Sequence, residues 1–195
     1  MKKLIYVFFA VLLSLLFVLS CTRVKKTENV PLTQEQTIKR GEYLITVMGG
    51  CNDCHTPKRM GSAGPELIQA KLLSGYPAEQ PVPFSTAEKN VVNKGLAIMI
   101  PDLTAAYGPW GVSFSANLTP DPTGIGNWTI DNFRLALVKG KYKGFEASRT
   151  LLPPMPWQNF ANISEEDLAS MFAYLKSIPA VSNTVPAPIP PTEIK

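Results

Sequence analysis

The feature that most constrains this chain is the pentapeptide Cys51-Asn52-Asp53-Cys54-His55, because His55 is the one histidine among 195 residues. Two thiols three positions apart, followed at once by an imidazole, form a C-x-x-C-H pattern. A structural zinc site takes four Cys or His ligands; past Cys21, which closes the N-terminal apolar run, the chain has two cysteines and one histidine, so carboxylates would have to complete it. A thioredoxin-like redox pair follows a strand in a βαβ setting, whereas here a helical pattern ending in Gly49-Gly50 precedes the thiols. A plain disulfide would leave the long irregular stretch behind the motif unexplained. Covalent haem attachment uses all three residues. The thiols reach two vinyl groups on one edge of the porphyrin, and the adjacent imidazole lies under the iron.

A single histidine also rules out a second imidazole on the iron, so the sixth ligand has to be of another kind. Beyond the N-terminal leader the methionines are Met48, Met60, Met99, Met155 and Met171. Met48 and Met171 fall on apolar helical stripes, where methionine usually fills core. Met60 follows His55 too closely to cross to the opposite face of the ring. Met155 and Met99 remain. Met155 stands in Leu151-Leu152-Pro153-Pro154-Met155-Pro156-Trp157, where Pro156 pushes it towards extended geometry. A thioether is a weak ligand, and a loop stiffened beforehand loses less entropy on ligation. Met155 is therefore the expected ligand, with Met99 the alternative. A His/Met pair raises the reduction potential and fills both axial positions, which favours electron transfer over binding of small molecules. Two rival readings stay open: a haem enzyme or sensor with an open sixth position, and a structural lipoprotein with a Cys51–Cys54 disulfide.

The chain opens with Met1-Lys2-Lys3 and an apolar run over residues 4–19, shorter than the ~20 residues of a spanning helix and in keeping with a signal peptide. The run closes on Val18-Leu19-Ser20-Cys21, which resembles the lipobox of bacterial lipoproteins. That resemblance implies a signal peptide over 1–20, lipid on Cys21, and a protein anchored to the periplasmic side of a bacterial membrane. It also settles the odd cysteine, since an exported chain with three thiols otherwise carries one left over. The formal charge of +4 falls to +2 once Lys2 and Lys3 leave. No basic run tracks a phosphate backbone, so nucleic acid is not an expected partner.

Residues 21–32 are polar and without periodicity, as in a flexible tether. Thr33-Gln-Glu-Gln36 has capping-box form, and Ile38, Leu44, Ile45 and Met48 follow at helical spacing, predicting a helix over 34–48. From 56 to 127 the pattern weakens, apart from a short helical possibility over 67–73. This stretch offers little core of its own and is expected to wrap something large and apolar. Ile130, Phe133, Leu137 and Gly140 form a second stripe; Ser164-Glu-Glu-Asp167 opens a third, with Leu168, Met171, Phe172, Leu175 and Ile178, stopped by Pro179. The tail over 181–195, with Pro186, Pro188, Pro190 and Pro191, should be extended and largely without packing. The architecture predicted is all-α: three main helices with long connections, in one domain over 33–180.

The ordered set Gly41-Glu-Tyr-Leu44, Cys51 to His55 with Thr56-Pro57, Asn117-Leu-Thr-Pro-Asp121 with Gly124-Ile-Gly-Asn-Trp128, Pro154-Met-Pro-Trp157 and Ala173-Tyr-Leu-Lys176 resembles class I cytochrome c domains. Within them it is most similar to cytochrome subunits of periplasmic dehydrogenases. The resemblance implies the cytochrome c fold and one covalent haem c on Cys51 and Cys54. It implies an electron carrier, rather than an enzyme, serving a dehydrogenase, a terminal oxidase or another cytochrome. It also implies that the carbonyl of Pro65, in Gly64-Pro65-Glu-Leu67, accepts the His55 ring N–H. Gly41 and Tyr174 match the crossing of first and last helices, and Trp128 matches an aromatic beside the haem.

Overall fold

The computed structural model describes residues 31–194. The leader, Cys21 and nearly all of the tether lie outside them. Among the described residues no helix is long and apolar enough to cross a membrane.

Among the described residues five α-helices follow in order: α1 (Gln34–Tyr43), α2 (Cys51–His55), α3 (Lys89–Val92), α4 (Ile130–Leu137) and α5 (Glu165–Ser177). Side chains set the start of the three longer ones. Thr33 Oγ1 accepts from Gln36 N at 3.2 Å while Gln36 Oε1 accepts from Thr33 N at 2.9 Å. Thr129 and Asn132 make the same reciprocal pair at α4, and Ser164 Oγ accepts from Asp167 N at α5. Each satisfies an amide that the first turn leaves unpaired.

The predicted helix over 34–48 is one segment with a change of pitch. After Tyr43 it continues as a π turn, Leu44–Met48, closed by Gly49 N donating to Leu44 O at 2.8 Å. A π turn inserts an extra residue into the helical repeat, so the residues after it rotate relative to the core stripe. Ile45 is buried at 1% exposure, but Met48, expected as core filler, stands 65% exposed. Gly50 then turns the chain at φ 56° into α2.

Helices α1 and α5 cross at Gly41. A side chain there would collide with the Ser170 carbonyl and lie 2.8 Å from Tyr174 Cβ. Only a glycine lets the backbones approach this closely. Around the crossing gathers the first core cluster: Ile45, Leu73, Ile125, Phe133, Leu137, Leu168, Met171, Tyr174 and Leu175. Ion pairs from Arg40 to Asp167 and from Arg134 to Glu165 span the helices at the surface, where each contributes at most about 1 kcal/mol.

The segment predicted as irregular carries five short strands. β1 (Lys58–Gly61) and β2 (Gly64–Leu67) form a hairpin with Met60 opposite Pro65. β3 (Ile98–Met99), β4 (Ala105–Gly108) and β5 (Gly111–Phe114) form a second antiparallel sheet. A 3₁₀ turn, Gln69–Lys71, occupies the helical possibility near 67–73. The sequence carries no signal for these strands because two to four residues are too few to show alternation, and all four residues of β4 are buried. They support a second core cluster of Tyr76, Phe84, Val92, Ile100, Ala105, Tyr107, Val112 and Ile194, so this stretch brings apolar packing of its own.

The tail is extended as expected, yet it packs. Asn183 Nδ2 donates to Ser74 O (2.7 Å) and Tyr76 O (2.9 Å), and its Oδ1 accepts from Ala78 N (2.9 Å). Ile189 exchanges two backbone hydrogen bonds with Val112, and Ile194 is buried. Proline removes the chain's own hydrogen bonds within the tail, which frees the intervening amides and carbonyls to pair with other segments.

Candidate functional site

Helix α2 places both thiols and the imidazole within little more than one turn. Cys51 and Cys54 are unpaired cysteines, three positions apart, and Cys51 packs against the first cluster. Burial pushes the Cys51 thiol up to about 11. Burial also raises Cys54, partly countered by the nearby Lys58 cation. Gly49 leaves a cradle beside them: a Cβ built there would lie 3.2 Å from Cys51 Sγ and 3.8 Å from the Phe160 ring. A cavity of about 260 Å³ opens at this point, lined by Leu44, Met48, Gly49, Phe160 and Met171 among others. Asn52, between the thiols, buries its Oδ1 with no hydrogen-bond partner, a cost normally offset by a ligand or water.

The His55 ring is held from behind. Its Nδ1 lies 2.7 Å from the carbonyl of Ala116. A carbonyl can only accept, so Nδ1 carries the hydrogen and Nε2 keeps a lone pair. Burial lowers the His55 pKa and the Ala116 bond opposes that; the ring rests neutral, the form that binds metal. The partner is thus Ala116 and not Pro65. Pro65 sits exposed in β2, opposite Met60. Ala116 reaches the ring because the chain leaving β5 is fixed on both sides of it: Tyr76 N donates to Ser115 O at 2.9 Å, and Asn117 is buried. Asn117 Oδ1 accepts from Thr119 N and Oγ1, and its Nδ2 donates to Val181 O at 2.8 Å. The Asn117-to-Asp121 motif is a clamp on the peptide behind the histidine.

Met155 and Trp128 both pack, half-buried, against the same first cluster as Cys51. Met99 does not join it: it lies on β3, opposite Ala106, 36% exposed. Met60 is 72% exposed and Met171 is core at 1%. The Met155 loop is tied at three points. Leu151 N donates to Gly140 O, Ser113 Oγ donates to Pro153 O at 2.7 Å, and Trp157 covers the face of Gly140 where a Cβ would be. Gly140, read as part of the α4 stripe, lies beyond the helix end at φ 65°, the usual place for a glycine after a helix.

Sequence reasoning missed Ala116, Ser113 and Lys58. Ala116 acts through its backbone, which any residue supplies, and a serine or lysine in an irregular stretch carries no local signal. Gly140 was visible, but in the wrong role.

No protein-family model matches the chain. It is 33% identical over 141 residues to the cytochrome c subunit of the quinone alcohol dehydrogenase of Gluconobacter oxydans, covering 72% of this chain and 21% of that protein. It is 30% identical over 138 residues to the gluconate 2-dehydrogenase cytochrome c subunit of Pantoea cypripedii, covering 70% and 22%. Over 88% of its length it is 29% identical to the fructose dehydrogenase cytochrome subunit of Gluconobacter japonicus, covering 27% of that protein. The chain carries a cytochrome c-like domain. It spans about a fifth to a quarter of the length of these curated relatives.

The residues of the cytochrome c-like domain fit a covalently held haem. Two half-buried, unpaired thiols share one helical turn, an imidazole follows with its free lone pair at Nε2, and Gly49 leaves space beside Cys51. Among the described residues no group of three or more His, Cys, Asp and Glu side chains forms a metal site of another kind.

Proposed function

We propose that this protein is a monohaem c-type cytochrome of the class I fold, passing single electrons between redox proteins at the periplasmic side of a bacterial membrane. The observation that carries the reading is the His55–Ala116 contact beside the two free thiols. It prepares the imidazole for iron at Nε2 while both sulfurs remain available for thioether bonds. When bound, haem supplies a ferrous–ferric couple that changes by one electron. Cys51 and Cys54 would hold its edge, His55 would ligate one face and Met155 the other. Trp128, Phe160 and the first cluster would keep water from the ring.

The partners named for the relatives, dehydrogenases of alcohol, gluconate and fructose, support a dehydrogenase as electron donor here. Lipid on Cys21 would confine the carrier to the membrane surface that holds that donor. An oxidase or a further cytochrome would then receive the electron.

Expression with a haem-attachment system tests the reading. The mature protein should gain the mass of one haem, resist its extraction by acid acetone, and show the ~695 nm absorption of thioether-ligated ferric haem that the resemblance implies. A colourless protein without added mass, beside a control cytochrome that is loaded, ends the proposal. A haem adduct without the 695 nm absorption favours the open sixth position.

A further inference from the structure

The carbonyls at the end of α2 are nearly all accounted for. Asn52 O accepts from Thr56 N at 3.2 Å, His55 O from Gly75 N at 2.8 Å, and Pro57 O from Ile68 N at 3.0 Å. Asp53 O and Thr56 O take their donor from one side chain. The half-buried Lys58 places Nζ 2.5 Å from Asp53 O and 3.4 Å from Thr56 O, and 2.7 Å from Asp102 O. An ammonium has three protons, and here each has a carbonyl acceptor. Among the described residues no carboxylate pairs with Lys58. Its charge is compensated by helix-end carbonyls, which carry partial negative charge, and not by a counter-ion.

The far end of this strut is itself constrained. Leu103 follows Asp102 at φ 65°, a left-handed conformation that costs a non-glycine residue about 1 kcal/mol or more. Asp102 Oδ1 holds the turn by accepting from Thr104 N at 3.0 Å and Thr104 Oγ1 at 2.8 Å. Beyond it, Ile100 and Ala105 belong to the second cluster. Lys58 therefore joins the turn that bears Cys54 and His55 to the β-sheet side of the domain.

We propose that Lys58 is a positioning residue of the site, locking the Cys54–His55 end of α2 to the Asp102 turn and setting a positive charge with no carboxylate partner beside it. The mechanical half follows from geometry. The electrostatic half rests on the haem reading, because a cation near the iron favours the ferrous state.

Lys58→Met, Lys58→Gln and Lys58→Arg in the full chain test it, with and without haem. Two quantities are read: amide exchange at Thr56, Leu73 and Gly75, whose N–H groups bond to this turn, and the reduced-to-oxidised ratio at a fixed ambient potential. Lys58→Met is expected to raise exchange at those amides about tenfold, with α1 and α5 unchanged, and to lower the ratio roughly threefold. Lys58→Arg should preserve both. Lys58→Gln should keep part of the protection but not the ratio, and it carries the comparison if Lys58→Met does not accumulate. Wild-type exchange and ratio in Lys58→Met overturn the proposal. So does a loss of protection spread evenly over the domain, or an arginine variant that behaves like the methionine one. Failure of the haem reading appears separately, as a wild-type protein without haem mass; exchange in the unloaded chain then still decides whether Lys58 positions the turn.

Discussion

A carbonyl has no proton to give, so one backbone contact, Ala116 O at 2.7 Å from His55 Nδ1, determines which imidazole nitrogen is free. Cys51 shows the other residue-scale force, desolvation. Its thiol holds its proton to about 11 in the folded chain, against 9.0 when exposed. Between those values the unfolded chain binds fewer protons than the folded one, so stability falls as pH rises. For the haem-free protein this amounts to about 2 to 3 kcal/mol lost across the window, at ~1.36 kcal/mol per pH unit. Urea midpoints should drop with pH in the wild type, and Cys51→Ala should flatten the excess. Alkylation of Cys51 should stay slow until thiolate forms near the top of the window. In the haem-loaded protein, Met155→Ala is expected to shift the reduced-to-oxidised ratio at fixed potential by tenfold or more towards ferric, which is a fall of about 59 mV or more for one electron. Met99→Ala should leave it unchanged. The reverse pattern moves the sixth ligand to Met99.

Among the elements, the α1–α5 crossing has the least tolerance. Gly41→Ala would add about 1 kcal/mol of helix propensity, yet the new methyl meets the Ser170 backbone and the base of Tyr174. We expect a net loss of about 3 kcal/mol in denaturant unfolding; a stabilised variant would refute so close a contact. Such helices were legible in the sequence because caps and apolar stripes are local: Thr33 with Gln36, and Ser164 with Asp167, bond as their spacing suggests. The π turn was not, since Met48 keeps helical spacing on paper and leaves the core only when the pitch changes. The strands were not, because β3 has two residues and β4 is buried throughout. At the site, Cys51, Cys54 and His55 are neighbours in sequence and need no fold to meet. Ala116 and Pro65 offer equivalent carbonyls to a reader of sequence, and only the course of the chain after β5 chooses between them.

At the scale of the molecule, the described residues rest on two apolar clusters, one among the helices and one beneath the second sheet, with the tail laid across their connections. A chain without haem is therefore expected to keep part of its structure. In Cys51→Ser with Cys54→Ser, amides of β4 and β5 should retain slow exchange while those of α1 and α5 lose much of theirs; uniform, fast exchange would show that the second cluster cannot stand alone. Asn183→Ala removes a side chain that bonds Ser74, Tyr76 and Ala78 and leaves buried groups unpaired. It should cost about 2 to 4 kcal/mol in thermal or denaturant unfolding. That asparagine comes far later in the chain than the thiols, which has a consequence for biogenesis. Synthesis runs from the N-terminus, so Cys51, Cys54 and His55 emerge long before Val181 and Asn183, the last residues to grip Asn117. Until those arrive, the peptide behind the imidazole is unclamped, and the thiols belong to a domain whose final latch has not yet been made. An enzyme that must reach both sulfurs would find them most accessible in that interval, and a chain that has completed its own closure would be the poorer substrate.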